Sequence, residues 1–417
     1  MTRSLRILPI VITAIAVAQT DTASVLSLEQ CISSAVRKSP PIIQARARYD
    51  EMNANAGVTA TGFIPDITLA GRYEVPISTR GGETSATNLS ANIVLSQSVI
   101  AYIGTFHRHA MAQLQSEIAR VQMEGAYRDT VLSVQRAYFA AMAAREYSTV
   151  YSNRMRRLEE TIFTKKLERQ YDLESSAAMT MMNADMERIR HSQFLQETAY
   201  TNSIRQLLIA MGEKEYRSCD VSLQEDGNVE YRSDAVIAGA VSNSWKLKTA
   251  LLDLRQEEVR LAESDLAYWP TVTLNAGYYY YRTISDLTEA RLGVSFSYPI
   301  TAWLETMLRS EGISHRVSAA RNKVEDLRVA IRQDAREAYE SYASLIREES
   351  LLKTEYTASI QYLAILRQYY RQGRITYSSL EPQEDKLFRI ESDIAANRHK
   401  LRNIRAILAD HIRTVRL

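Results

Sequence analysis

The chain has 417 residues and a formal net charge of +2, with 24% charged and 46% apolar residues. That length is enough for two or three domains, and the near-neutral charge argues against a nucleic-acid partner. Only 14 glycines and 8 prolines are present, which disfavours an all-β chain and favours long helices. The 24 tyrosines, against 7 phenylalanines, suit wet interfaces or a bilayer edge, because the ring carries a polar tip.

The N-terminus has the parts of a secretory signal. Arg3 and Arg6 precede the apolar run 7–17, and residues 16–18 read Ala-Val-Ala, a typical cleavage site. The alternative is a membrane anchor, but the apolar run is too short to cross a hydrocarbon core of ~30 Å. We therefore expect residues 1–18 to be a signal peptide and the mature protein to be exported.

Two cysteines, Cys31 and Cys219, leave two possibilities open. A single disulfide is possible outside the cytoplasm. A plain buried thiol is favoured instead for Cys31, because it falls on the apolar face of a predicted helix.

The sequence is duplicated. A shift of 205 residues aligns Pro65 with Pro270 and Tyr73 with Tyr278, and a shift of 200 aligns "SIRQLL" at 203–208 with "NIRAIL" at 403–408. This is the repeat of a large unit and not a short solenoid repeat. The sequence thus predicts two repeats, 19–212 and 233–417, joined by a polar connector over 213–232.

Both repeats contain the same predicted elements in the same order. Each begins with an amphipathic helix, for which Ser27 in the first repeat and Ser233 or Asp234 in the second are candidate caps. A β-hairpin and then a long helical hairpin follow. The predicted ranges are 27–62, 65–98 and 101–211 in the first repeat, and 233–268, 270–299 and 301–411 in the second.

The predicted strands alternate apolar residues with small or polar ones over about ten positions. The first hairpin places on one face Ile67, Leu69, Gly71, Tyr73 and Val75, then Leu89, Ala91, Ile93 and Leu95. The second places on one face Val272, Leu274, Ala276, Tyr278 and Tyr280, then Leu292, Val294, Phe296 and Tyr298.

The long helical stretches carry apolar stripes at spacings of three and four, which predict antiparallel coiled-coil packing. One stripe in the second repeat contains Leu387, Ile390, Ile394, Leu401, Ile404 and Leu408, with Asn397 as its polar member. Each stretch must turn once, near 170–174 and near 372–376. Gly373 is a suitable turn residue, whereas Tyr171 occupies the corresponding place in the first repeat.

Four strands cannot close a barrel, and an exported protein should not leave their edges open. Either they form a small sheet packed on the helices, or several chains pool their strands into one membrane barrel. The second solution is favoured because the alternation is apolar against small-polar, and because tyrosines cluster at 278–281, where an interfacial girdle would lie. Two chains would give eight strands and three would give twelve, and the residue pattern does not choose between them.

The segment 26–73, "LSLEQCISSAVRKSPPIIQARARYDEMNANAGVTATGFIPDITLAGRY", resembles the opening of the outer-membrane efflux protein (TolC) family. The resemblance continues through the hairpins, long helices and connector of both repeats. It implies a mainly α homotrimer with a twelve-stranded outer-membrane β-barrel, four strands from each protomer, continued by an α-helical barrel through the periplasm. It also implies contact with outer-membrane lipid, and docking of the helix tips onto a periplasmic adaptor and an inner-membrane pump.

The resemblance also assigns candidate site residues. The expected docking residues at the first tip are Gln170, Tyr171, Asp172 and Leu173. Those at the second tip are Gln372, Gly373, Arg374, Ile375 and Thr376. Some family members narrow the tunnel with carboxylates shortly after the second tip glycine, but the matching positions here are Ser379 and Pro382. Glu381, Glu384 and Asp385 are then either substitute gate residues or solvated helix-face charges. Pro65 and Pro270, with Tyr73, Tyr278 and Tyr280, mark the expected membrane boundary.

Catalytic chemistry is not indicated. His107 and His109 are two residues apart and so do not share a helix face, which argues against a metal site there. The methionine-rich segment 177–186 either binds a soft metal or fills space near the helix turn, and packing is favoured. We expect no enzyme activity, metal or cofactor.

The leading functional hypothesis is a passive trimeric exit duct of a tripartite efflux or type I secretion system, gated at the periplasmic helix tips. The rival is a periplasmic coiled-coil scaffold without a channel. The sequence does not distinguish export of small molecules from export of proteins.

Overall fold

The computed structural model describes residues 24–74, 88–168, 174–213, 215, 219–222, 230–282, 286–298 and 300–412. The expected mainly helical class is confirmed, since two of its helices have 70 residues each. The predicted signal peptide, 1–18, lies outside the described residues.

The described elements of the first repeat follow one another from the N-terminal strand to the second arm of a helical hairpin. They are β1 (Ser24–Leu26), α1 (Leu28–Lys38), α2 (Pro40–Ala60), a 3-10 turn (Thr61–Phe63), β2 (Asp66–Glu74), β3 (Asn88–Ser98), α3 (Val99–Glu168) and α4 (Glu174–Ala210).

The connector contributes one short strand, β4 (Cys219–Val221), before the second repeat begins. The second repeat then contains α5 (Ser233–Asn243), α6 (Trp245–Ser264), a 3-10 turn (Asp265–Tyr268), β5 (Thr271–Arg282), β6 (Asp286–Ser297), α7 (Ala302–Arg371) and α8 (Tyr377–Ile412).

The first helix of each repeat is broken, where the sequence predicted one continuous helix over 27–62 and over 233–268. In the first repeat Ser39 is extended, at φ −66° and ψ 124°, because a residue before proline avoids the helical region. In the second repeat no proline follows the break, since residue 245 is tryptophan. Ser244 is extended there and its side chain accepts a hydrogen bond from the Leu247 amide at 3.2 Å.

The predicted helix caps differ between the repeats. Ser27 caps α1 as expected, in a reciprocal pair with Gln30: each side chain accepts a hydrogen bond from the other residue's amide. The prediction for the second repeat is wrong, because α5 begins at Ser233 itself. Its N-cap is Arg232, which makes no capping hydrogen bond through its side chain.

The four long strands form one antiparallel sheet in the order β2-β3-β5-β6. Leu69 pairs with Ile93, Ile93 with Tyr278, and Leu274 with Val294. The predicted apolar positions within the four strands therefore lie on one face, as the alternation indicated, whereas Val75 lies outside the described residues. A separate parallel pair joins β1 to β4, so that the start of the chain is held against the connector.

The helices pack as a layer whose members change halfway along. Next to the sheet the order is α2, α3, α6, α7, and at the opposite end it is α4, α3, α8, α7. The helices α3 and α7 run through both halves, and at 1.5 Å per residue each is about 105 Å long. One flank of the layer is therefore α2 and α4, and the other is α7.

The largest apolar core surrounds the β1–β4 pair and the middle of α3. Both cysteines are buried there and are not joined in a disulfide, so the buried-thiol prediction for Cys31 is confirmed and the disulfide alternative is wrong. Tyr138 is fully buried in this core and its hydroxyl donates to the Ser222 carbonyl at 2.8 Å. The middle of the molecule is thereby tied to the connector.

Within the described part of the chain, none of the helices is both long enough and apolar enough to pass through a membrane.

Candidate functional site

The apolar face of the sheet is exposed to solvent in the single chain. Leu69 is 75% exposed, Leu292 87% and Val294 70%, although all three lie within strands. A soluble protein rarely leaves so large an apolar face uncovered. This face is the first candidate functional surface.

The predicted boundary residues lie where the strands meet the helices or near the far ends of the strands. Pro65 and Pro270 directly precede β2 and β5, and so separate the strands from the 3-10 turns. Tyr73, Tyr278 and Tyr280 lie on the apolar face, toward the end of the sheet far from the helices.

The second helical hairpin turns at Gly373, which has φ +69°. The Gly373 amide donates to the Tyr370 carbonyl and the Arg374 amide donates to the Tyr369 carbonyl, each at 2.9 Å. This is the Schellman arrangement, in which a left-handed residue satisfies the last carbonyls of a helix. Residues 372–376 thus form the whole connection between α7 and α8.

Of the expected first-tip residues, Gln170, Tyr171, Asp172 and Leu173 lie outside the described residues. The methionine-rich segment beside that tip is described in part. Met179, Met182 and Met186 are buried against Tyr377, Leu380 and other apolar side chains, which confirms the packing interpretation.

Glu384 is the centre of a buried cluster of ionic side chains close to the tips. Only 3% exposed, it lies on α8 between the two long helices. Arg367 of α7 donates to its Oε1 from Nε at 2.8 Å and from Nη2 at 2.6 Å. Arg154 of α3 donates to its Oε2 at 3.1 Å. The carboxylate therefore joins α3, α8 and α7.

Further ion pairs continue along the contact between α3 and α8. Arg154 also donates to Asp385 at 2.7 Å, and Arg157 holds Glu391 through two hydrogen bonds of 2.9 and 2.7 Å. Arg402 and Glu146 pair at 2.8 Å nearer the middle of the molecule. All these pairs connect the first repeat to the second. We call these pairs, together with the pair of Arg154 and Glu384, the inter-repeat seam.

The predicted gate residues therefore have different environments. Glu384 and Asp385 belong to the inter-repeat seam, so the alternative of a solvated helix-face charge is wrong for Glu384. Ser379 and Glu381 do not contribute to it: the Ser379 hydroxyl lies 3.3 Å from the Thr376 hydroxyl, and Glu381 is half-buried near Tyr377.

Sequence reasoning did not identify the arginines of the inter-repeat seam. Arg154 and Arg157 are three residues apart on α3 and so share a helix face, which is a detectable signal. Their acidic partners are more than two hundred positions away in the chain, and local periodicity does not connect them.

The pKa values of two side chains near the seam are shifted from their ordinary values. Burial, reinforced by the negative charge of Glu381, raises the pKa of Tyr377 to about 12, and its hydroxyl donates to Asp185 at 3.4 Å. Burial lowers the pKa of His399, whose Nδ1 lies 3.2 Å from the Phe139 carbonyl oxygen. The neutral forms of both side chains are favoured in this interface.

Comparison with known proteins gives one family and one fold. Residues 31–212 match the family model described as outer membrane efflux protein. No curated protein has a sequence that matches this chain.

Solved structures of outer-membrane proteins share the fold of nearly the whole chain. The CmeC outer membrane channel of Campylobacter jejuni has a TM-score of 0.79 at 13% identity, covering 92% of this chain and 85% of its own. VceC, an outer membrane protein of Vibrio cholerae, has a TM-score of 0.81 at 13% identity, covering 92% and 95%. The open state of the Neisseria gonorrhoeae MtrE outer membrane channel has a TM-score of 0.78 at 14% identity, covering 92% and 88%.

Proposed function

We propose that this chain, whose residues 31–212 match the model of the outer membrane efflux protein family, is an outer-membrane exit channel that works as a trimer. The observation that carries the proposal is the exposed apolar face of a four-stranded sheet attached to helices of about 105 Å. Residues 1–18 serve as its export signal.

The sheet supplies one third of a twelve-stranded barrel. Among the described residues, β2 and β6 each have a strand on only one side, so each leaves an edge of unpaired amides and carbonyls. Joining β6 of one protomer to β2 of the next satisfies both edges and turns the apolar face toward lipid. The strands of 9 to 12 residues are long enough for a tilted crossing of the bilayer, which takes about 9–11.

The helical layers of three protomers continue this barrel as a periplasmic conduit. Large apolar side chains are exposed on both flanks of the layer, where a neighbouring copy would cover them. They include Ile43 and Val58 on α2, and Trp303, Leu304 and Leu308 on α7. Burying such side chains is favourable at about 25 cal/mol per Å² of apolar surface.

The gate lies at the end of this conduit far from the sheet. Parting α8 from α3 there requires the pairs of the inter-repeat seam to separate, with Glu384 and Asp385 leaving Arg154. Ion pairs can exchange between two packings of the helices, so that this contact acts as a two-state element. The energy for transport comes from an inner-membrane pump, and the channel itself is passive.

The helix tips are the docking surface for a periplasmic adaptor. The turn at 372–376 supports this role, because it is short and its backbone is fixed by the Gly373 cap. The cargo is either small molecules, in a tripartite efflux pump, or proteins, in a type I secretion system.

The rival function is a periplasmic scaffold without a channel. It requires the sheet to be covered by another soluble protein and predicts extraction from cells without detergent. The exposed fractions of Leu69, Leu292 and Val294 favour a lipid-facing sheet instead.

The test is purification from outer membranes followed by mass measurement and planar-bilayer recording. We expect three copies in each detergent particle and ion conduction across the bilayer. A water-soluble monomer that does not conduct would contradict the proposal and favour the scaffold.

A further inference from the structure

The face of the sheet opposite the apolar face carries mostly small side chains. Near the helices its members include Thr68, Val94, Ser96, Asn275, Gly277, Gly293 and Ser295. Larger side chains gather toward the other end of the same face: Arg72, Tyr279, Tyr281, Leu287, Glu289 and Arg291. This second face is the one that the proposed barrel turns toward its channel.

Tyr279 and Tyr281 form a parallel aromatic pair within that group. Their rings are inclined by only 2° to each other, with centroids 6.2 Å apart. Gly277 makes this arrangement possible, because a Cβ at that position would lie 2.7 Å from the Tyr279 ring. The Tyr279 ring therefore leans along the strand over the glycine.

A planar cation completes the group. The Arg291 guanidinium carbon lies 5.1 Å from the centre of the Tyr279 ring, and its Nη2 donates to Glu289 at 2.6 Å. Glu289 thus holds one side of the guanidinium, while the group still has further N–H donors for an anion. Aromatic rings and a guanidinium are thus adjacent on a sheet face whose other side chains are mostly small and polar.

We propose that Tyr279, Tyr281 and Arg291 form a binding girdle for planar aromatic anions passing through the barrel. The proposal rests on the proposed channel function, in which three copies of the girdle surround the lumen. The solute's ring contacts the tyrosine rings, and its anionic group accepts hydrogen bonds from Arg291. Binding must be weak and brief, since a conduit that held its solute tightly would not release it.

Planar-bilayer recording with a defined probe tests the girdle. In single wild-type channels, 2-naphthalenesulfonate should cause brief current blockades, and methanesulfonate, which has the charge without the ring, should not. The double substitution Tyr279→Ala with Tyr281→Ala should shorten the blockades about tenfold. Arg291→Gln should also shorten them, because the anion loses its partner.

Two further variants separate binding from sheet structure. Tyr279→Phe with Tyr281→Phe keeps both rings and should keep the blockades. Asn275→Ala, on the same strand and face, should leave them unchanged. Each variant is first checked for the trimer, so that only assembled channels are compared.

Wild-type channels that conduct without blockades, or blockades that survive removal of both rings, would overturn the girdle and leave the channel function intact. Wild-type protein that does not conduct at all would overturn both.

Discussion

Glu384 is the residue on which the inter-repeat seam depends most. Replacing it with alanine removes the carboxylate shared by the buried Arg154 and the half-buried Arg367, although Arg154 keeps Asp385. Loss of one partner from a buried pair costs about 3–5 kcal/mol, and we expect the lower end here. Urea unfolding of the helical part, followed by circular dichroism, measures the loss.

The same variant tests the proposed gate. Channels with Glu384→Ala should conduct more than the wild type, because α8 is less firmly held to α3. Glu355→Gln is the matched control, since it removes a carboxylate from an exposed position on α7. Equal conductance in Glu384→Ala and the wild type would show that the seam does not restrict the conduit.

His399 makes the stability of the helical part depend on pH. Its pKa is lowered chiefly by burial and by Arg402, while the Phe139 carbonyl and Glu146 oppose the shift. Below the ordinary histidine pKa of about 6.5 the unfolded chain therefore binds more protons than the folded protein does. The free energy of unfolding then falls as the pH falls through that value. Thermal unfolding at a series of pH values should show this loss.

His399→Gln should flatten the pH dependence, because glutamine does not titrate. Part of the slope should remain, since burial also lowers the pKa of His411. An unchanged slope in the variant would show that His399 is not the responsible group.

At the scale of the element, two helices end at glycines with positive φ. Replacing each of these glycines with alanine should lower the free energy of unfolding by a different amount. Gly373 has φ +69°, and a Cβ added there would have no neighbouring atom within 4 Å, so Gly373→Ala should cost about 1 kcal/mol from backbone strain alone. Gly212 has φ +77°, and its Cβ would lie 2.7 Å from the Lys38 carbonyl oxygen. Gly212→Ala should therefore cost clearly more.

Gly312 is the matched control for both glycines. It lies inside α7 with ordinary helical φ and open space around it, so Gly312→Ala should stabilise the helix by about 0.5–1 kcal/mol. From highest to lowest denaturant midpoint, the order of the three variants should be Gly312→Ala, Gly373→Ala and Gly212→Ala. Any other order would contradict this account of the two turns.

At the scale of the whole molecule, the sheet decides whether the protein enters a membrane. Leu292 lies within β6 on the apolar face and is 87% exposed. Leu292→Arg should cost about 2–4 kcal/mol in the bilayer, and should reduce the amount of trimer recovered from outer membranes. Ser295→Arg, on the other face of the same strand, should be recovered at nearly the wild-type level. Equal recovery of both variants would argue against a lipid-facing surface.

The sequence by itself determined the features that repeat locally. Alternation with a period of two assigned Leu69 and Val294 each to the apolar face of its own hairpin, and Gly373 marked a turn, because side-chain direction and backbone freedom are properties of neighbouring residues. Tertiary structure alone decided which charges meet. Glu384 is buried because Arg154, 230 positions away in the chain, and Arg367 lie on the two helices beside it. Periodicity gives the face of a helix, but the partner on that face depends on how the two repeats pack.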